Sequence, residues 1–258
     1  MKRGPGSVYR RLKSLQLLLT RDRRDIVRFV TSDRIQLGKR ERLALVRRLT
    51  RVTNAVRGYH TLGEMLAIAT EILSRQAPTV VEAGVGPGGS TIKLSIVTKL
   101  ARGRLFAFDT FQGIPDNDEV HERLDGGRLV FRKGAFRSTL PRVQRKLEAL
   151  GEPQCTTLVK GRVEATLPEL DARIDVAVLD LDLIASTRAA IVAIWPKLAV
   201  GAVLISIDGQ VRATHELLAD AAFWRDEVGC APPNIEGLWR DKYLRCIKGS
   251  QADCVEAR

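Results

Sequence analysis

The chain has 258 residues and a mass of 28.6 kDa, 45% hydrophobic and 28% charged, with a mean hydropathy of −0.08. A chain of this length buries about three quarters of its unfolded surface, so it supports one substantial core, and the composition excludes a mainly disordered chain. The net charge of +12 sits at one end: residues 1–60 carry 17 Lys or Arg against 4 Asp or Glu, and the remainder is balanced at 25 against 26, so the body is not a polyanion binder by charge.

No run reaches the roughly 18 apolar residues that cross a bilayer. The basic N-terminus lacks the apolar core of a secretion signal, which places the chain in the cytoplasm. Cys155, Cys230, Cys246 and Cys254 form no Cys-x-x-Cys pair and read as reduced thiols.

In the basic segment Val8, Leu12, Leu15, Leu18 and Leu19, and then Leu43, Val46, Leu49 and Val52, recur at helical spacing and predict two or three amphipathic basic helices. Residues 1–57 are read as an N-terminal extension and 58–258 as the main domain. Such helices suit packing on the body or on a second copy of the chain in a homo-oligomer, and an anionic membrane surface is their other use. Nucleic acid is disfavoured as a partner, because Tyr9, Phe29 and Tyr59 are too few for base stacking.

Thr61-Leu-Gly-Glu64 is a capping box that opens a helix through residues 65–73. Strands at 79–83, 104–108, 156–159, 175–179 and 203–207 then alternate with helices at 91–101, 142–150, 164–170, 187–198 and 214–228. Short apolar strands alternating with helices define an α/β fold, a mostly parallel sheet with helices on both faces. Residues 232–248, strand-like at 243–247, predict an antiparallel hairpin at the sheet edge.

In such sheets ligands bind beyond the carboxyl ends of the strands. After the first strand stands Glu82-Ala-Gly84-Val-Gly86-Pro-Gly88-Gly89-Ser90. Glycines let backbone approach a ligand closely, and the next helix offers free N–H groups. The run matches neither the dinucleotide fingerprint nor the P-loop. Glu82 would repel a pyrophosphate but suits a cation, and Asp109, ending the second strand, is placed to accept hydrogen bonds from ribose hydroxyls. S-Adenosylmethionine combines ammonium, sulfonium and ribose without a phosphate, and is the cofactor this pattern points to.

Two further strands end in acids, Asp180 with Asp182 in one loop and Asp208 in the other. Hard carboxylate oxygens on neighbouring loops suit Mg²⁺, with Asp182 and Asp208 as the candidate ligands. A metal would acidify a bound hydroxyl and a carboxylate would take its proton, so that the oxygen attacks the sulfonium methyl. The bland alternative is ordinary loop or capping aspartates. His121, in the polar stretch after Asp109, is a second candidate general base, its alternative being an exposed loop histidine. His60 and His215 read as helix-boundary residues with no evident partner.

Glu82-x-Gly84-x-x-x-Gly88-Gly89, then Asp109-Thr-Phe-Gln-Gly-Ile-Pro115, Asp180-Leu-Asp182-Leu-Ile-Ala-Ser186-Thr187, and Trp195-Pro-Lys-Leu198 before Gly201 and Asp208, resemble the macrocin O-methyltransferase (TylF-like) family. The match runs in order from about residue 58 to the end of the chain. The resemblance implies a class I methyltransferase fold and O-methylation of a small sugar-containing or lipid-linked acceptor, with Mg²⁺ as a possible aid. It implies that Glu82, Gly84, Gly88, Gly89, Ser90, Asp109 and Thr110 line the cofactor, with the Gly161-Arg162 turn near the adenine; Gly86 and Asp180 complete the candidate cofactor residues. It makes Asp182 the candidate base or metal ligand. The chain departs from the family pattern at Ile184, where a Tyr is usual, and at Asp208-Gly209-Gln210, where Asp-Asp-Tyr is usual, which removes one expected metal ligand. Two alternatives stay open: methylation of a nucleic acid or protein held by the basic N-terminus, and a binding protein that keeps the cofactor fold without catalysis.

Overall fold

The computed structural model describes residues 22–249; the helix expected from Val8 to Leu19 and Cys254 lie outside them. Helices α1 (Arg23–Thr31), α2 (Lys39–Ala55) and α3 (Leu62–Leu73) precede β1 (Thr79–Ala83), α4 (Gly89–Leu100) and β2 (Arg104–Asp109). A small hairpin of β3 (His121–Glu122) and β4 (Arg128–Leu129) leads to α5 (Leu140–Leu150), β5 (Thr156–Lys160), α6 (Val163–Thr166), β6 (Ile174–Leu179) and α7 (Ile184–Ile194). The chain closes with β7 (Leu198–Ser206), α8 (Arg212–Ala219), the short α9 (Ala221–Phe223), β8 (Ile235–Glu236) and β9 (Leu244–Ile247).

The sheet has the order β5-β2-β1-β6-β7-β9-β8. The first five strands are parallel, whereas β9 pairs antiparallel with β7 and β8 antiparallel with β9. The strand order reverses at β1, between β2 on one side and β6 on the other, which opens a crevice at their carboxyl ends.

Side-chain alternation sorts the core into two layers. Val80, Val176, Val178, Val203 and Ile205 join Phe29, Leu49, Ile68 and Ile92 of α1–α4 on one face. Val81, Ala83, Ala177, Leu179 and Leu204 join Ile191 of α7 and Leu218 of α8 on the other. Glu82 shares the face of Val80 and so points under α4. The helices of the basic segment belong to the first layer rather than standing apart from it. Arg42 is buried there, its guanidinium donating to the carbonyls of Leu37 (2.7 Å), Val30 (2.9 Å) and Ser32 (2.5 Å), which ties the α1–α2 connection.

The capping box forms as expected: Glu64 N–H donates to Thr61 Oγ1 (3.1 Å) and Thr61 N–H to Glu64 Oε2 (2.8 Å). Three expected helices are corrected, the first of them, placed at 164–170, being a single turn that ends at Thr166. The one placed at 187–198 starts earlier, at Ile184, and ends at Ile194, giving way to a 3₁₀ turn at Trp195–Lys197. The one placed at 214–228 breaks at Asp220, whose extended backbone and carboxylate cap the Ala222 N–H at 2.9 Å, after which Trp224–Val228 forms a π turn ended by Gly229. Aspartate competes with the helix for its own backbone donors, so an Asp inside an apolar periodic run reads as helix and folds as a cap. Cys155, Cys230 and Cys246 form no disulfide among the described residues.

Candidate active site

A cavity of about 240 Å³ opens at the crevice, between the β1–α4 loop, the ends of β2 and β6, the segment Gly58–His60 and the strap that carries Phe131 and Phe136. Gly84, Gly86, Ser90, Asp109, Thr110, Arg162, Asp180 and Asp182 reach its wall together, as the sequence motifs suggest. Gly84 has φ +100°, and a Cβ there would lie 1.9 Å from the Asp180 carbonyl oxygen, so only glycine lets the β1 and β6 loops press together. Asp109 organises the cradle as well as facing it: Oδ2 accepts from Val85 N–H (2.8 Å) and Gly86 N–H (2.9 Å), and Oδ1 from Phe111 N–H (2.5 Å).

Six of the residues expected at the site stand behind the wall instead, Asp208, described below, among them. Glu82 is 1% exposed under the first turn of α4, with Oε2 unpartnered among the described residues. Burial pushes its carboxyl up to about 7, while the nearby Ser90 and Thr91 hydroxyls pull the other way. Gly88 packs on Val143, Gly89 on the Arg57 carbonyl and Gly161 on Thr166. His121, the fifth, is neither an exposed loop histidine nor a cavity residue: it is 5% exposed, Nε2 lies 3.1 Å from Glu119 Oε2, and its ring centroid is 5.8 Å from that of Phe131. Glu119, which no motif signals, accepts from Ile184 N–H (2.8 Å) and Ala185 N–H (3.1 Å) at the N-terminus of α7 and so docks the strap there.

The acids converge. Carboxylate oxygens of Asp180, Asp182 and Asp208 lie within 4.8 Å of one another. Asp208 is 1% exposed behind the wall; its Oδ2 accepts from Leu181 N–H (2.9 Å) and Asp182 N–H (3.2 Å), and its Oδ1 has no partner among the described residues. Asp182 sits at φ +62°, in a tight turn closed by Leu183 N–H to the Leu181 carbonyl at 2.7 Å. A non-glycine residue held in that region marks a loop over-determined by its surroundings. Burial first, then the charges of Asp208 and Asp180, raise the Asp182 carboxyl far above the usual range; burial and Asp180 raise Asp208. Three converging carboxylate oxygens with one buried lone pair free fit a hard divalent cation. Gly209 stands where the family's further aspartate is expected.

Two cations missed in the sequence adjoin these acids. His60 is buried with Nε2 3.1 Å from Asp180 Oδ2; burial lowers its imidazole, but Asp180 outweighs this and raises it on balance. Lys242 reaches the cavity from the β8–β9 connection, its Nζ donating to the Tyr59 carbonyl at 3.4 Å and lying 3.7 Å from Glu64 Oε1. Both are remote in sequence from the acids they face, and no local pattern could reveal them. His215 is structural: Trp239 N–H donates to Nδ1 (2.8 Å), which leaves Nε2 to donate to the Gly209 carbonyl (2.7 Å).

The reversed strand order, the glycine cradle at the switch point and the acids at the neighbouring strand ends define a class I methyltransferase. The chain belongs to the macrocin-O-methyltransferase (TylF) family, whose model matches residues 9–231, and it is an S-adenosylmethionine-dependent O-methyltransferase. The matched stretch includes most of the basic extension as well as the βα alternation. Among similar solved structures are the O-methyltransferase NovP (20% identity, 75% of this chain and 84% of that one, TM-score 0.58) and CalS11, a calicheamicin methyltransferase (18%, 97% and 95%, TM-score 0.56). The S-adenosylhomocysteine-bound methyltransferase PaMTH1 of Podospora anserina shares the fold at 12% identity over 80% of this chain and 88% of that one, with a TM-score of 0.52. No curated protein sequence matches the chain. Among the described residues no helix is long and apolar enough to cross a membrane.

Proposed function

We propose that the chain methylates a hydroxyl of a sugar-containing small molecule, with Asp182 as the base. The observation that carries this reading is that one cavity runs from the glycine cradle to Asp182. The same cavity is lined by aromatic rings, Tyr59 edge-on to Phe136 with centroids at 4.9 Å, and Phe131 at 6.3 Å from Phe136. Rings that cover the C–H face of a sugar and carboxylates that accept from its hydroxyls are the two parts a glycosyl site needs. The similarity to CalS11, described as a TDP-rhamnose 3′-O-methyltransferase (17% identity, TM-score 0.51), supports the same acceptor class.

In this reading the backbone at Gly84–Gly86 and the carboxylate of Asp180 hold the cationic amino-acid end of the donor, and Asp109 with Arg162 holds its nucleoside end. The strap docked by Glu119 excludes water from the sulfonium. Asp182, in its ionised form, accepts the hydroxyl proton as the oxygen attacks the methyl carbon in line; the C–S bond breaks and S-adenosylhomocysteine leaves. Asp182 and Asp208 are the residues that would hold Mg²⁺, which when bound would stabilise the developing alkoxide charge.

The test is calorimetry with S-adenosylhomocysteine, followed by methyl transfer from labelled S-adenosylmethionine to a panel of nucleotide sugars and glycosides. Asp182→Asn should lower kcat by about 10²–10⁴-fold while leaving the cofactor Kd within about threefold. Wild-type turnover by that variant, or transfer only to non-sugar acceptors, would overturn the assignment.

A further inference from the structure

The departure at Gly209 and the position of Lys242 are one structural fact. Gly209 N–H donates to the Lys242 carbonyl at 3.0 Å, and a Cβ on residue 209 would lie 2.2 Å from the Asp241 carbonyl oxygen and 2.7 Å from that of Lys242. The segment that carries Lys242 into the cavity therefore runs through the space an aspartate at 209 would fill. Lys242 thereby brings a positive charge to the cavity that Asp180 and Asp182 line.

We propose that Lys242 is a positioning residue that serves as a built-in counter-cation for Asp180, Asp182 and Asp208 and competes with a divalent metal for them. Lys242 shares the cavity wall with Asp180 and Asp182. The Tyr59 carbonyl and Glu64 hold the ammonium at the rim without filling its coordination, since an ammonium has three donors. A metal entering the cluster meets the charge of Lys242 in the same cavity. Acceptor binding and deprotonation then lean on the protein's own charges, and the requirement for free Mg²⁺ is weak. This inference rests on the methyltransferase reading of the site.

The experiment titrates Mn²⁺ into the full-length, S-adenosylhomocysteine-saturated protein, following bound metal by calorimetry and by loss of the free Mn²⁺ electron-spin signal. Removing a unit charge beside a divalent ion in a partly desolvated pocket is worth about tenfold or more in affinity. Lys242→Met should therefore bind Mn²⁺ at least about tenfold more tightly than wild type, and Lys242→Arg should match wild type. A lysine that merely braced Tyr59 and Glu64 would leave the metal affinity unchanged or weaken it on removal. Equal or weaker Mn²⁺ binding by Lys242→Met, or no binding by either protein at millimolar metal, overturns the proposal. If the Met variant does not fold, Lys242→Gln carries the same expectation. Failure of wild type to bind S-adenosylhomocysteine would overturn the methyltransferase reading instead, so the two failures are distinguishable.

Discussion

Glu82 offers a test of whether the base of the cradle is as dry as its geometry indicates. The carboxyl moves from an ordinary 4.5 to about 7 in the fold, chiefly through burial. A carboxyl raised in the folded state holds its proton more tightly there than in the unfolded chain. Its contribution to stability is thus fully present below about pH 4.5 and is lost as pH rises through about 7. The loss amounts to about 3 kcal/mol between those limits. Glu82→Gln keeps the shape and cannot ionise, so the variant should escape that loss. For a chain of this size about 3 kcal/mol corresponds to roughly 6–12 °C in Tm. The assay is differential scanning calorimetry of both proteins from about pH 4.5 to 8.5. The Tm of Glu82→Gln minus that of wild type should climb by about that amount across the range. A difference that stays flat with pH would show that the carboxylate ionises in a hydrated site and that the cradle's base is open to water.

Other expectations follow from the same geometry. Gly84→Ala places a Cβ against the Asp180 carbonyl in a left-handed backbone, so it should cost at least about 2 kcal/mol in stability and abolish calorimetric cofactor binding. Glu119→Gln removes the charge that caps α7 and should raise the acceptor KM about tenfold while leaving the cofactor Kd unchanged, since it loosens the strap and not the cradle. Gly209→Asp, which restores the family's usual residue, should lower Tm by several degrees and fail to increase Mn²⁺ affinity, because the Asp241 carbonyl occupies the space its Cβ requires.

What the sequence made legible was what local physics controls. Short apolar strands and the Thr61–Glu64 box follow from contacts within a few residues and appear close to where expected, although the last parallel strand begins at Leu198 rather than at residue 203. The acids at strand ends were legible for a related reason: in a parallel sheet the ends of neighbouring strands meet, so Asp180, Asp182 and Asp208 had to come together. The direction of Glu82 is readable from alternation with Val80 and Val81, although a carboxylate beside a glycine run suggests a place on the wall. His60, Glu119 and Lys242 were not legible, because each meets its partner across a tertiary gap that no spacing encodes. His121 misled because a polar stretch suggests an exposed loop, whereas the small β3–β4 hairpin and Phe131 bury its ring.

The most direct test of cofactor placement and base together is a crystal structure of the protein with S-adenosylhomocysteine. The amino-acid end of the ligand should lie on the Gly84–Gly86 backbone and Asp180, the ribose by Asp109, and the sulfur should turn toward the Asp182 carboxylate across a space the size of a methyl group. A ligand bound elsewhere, or with its sulfur shielded from Asp182 by protein side chains, would contradict this.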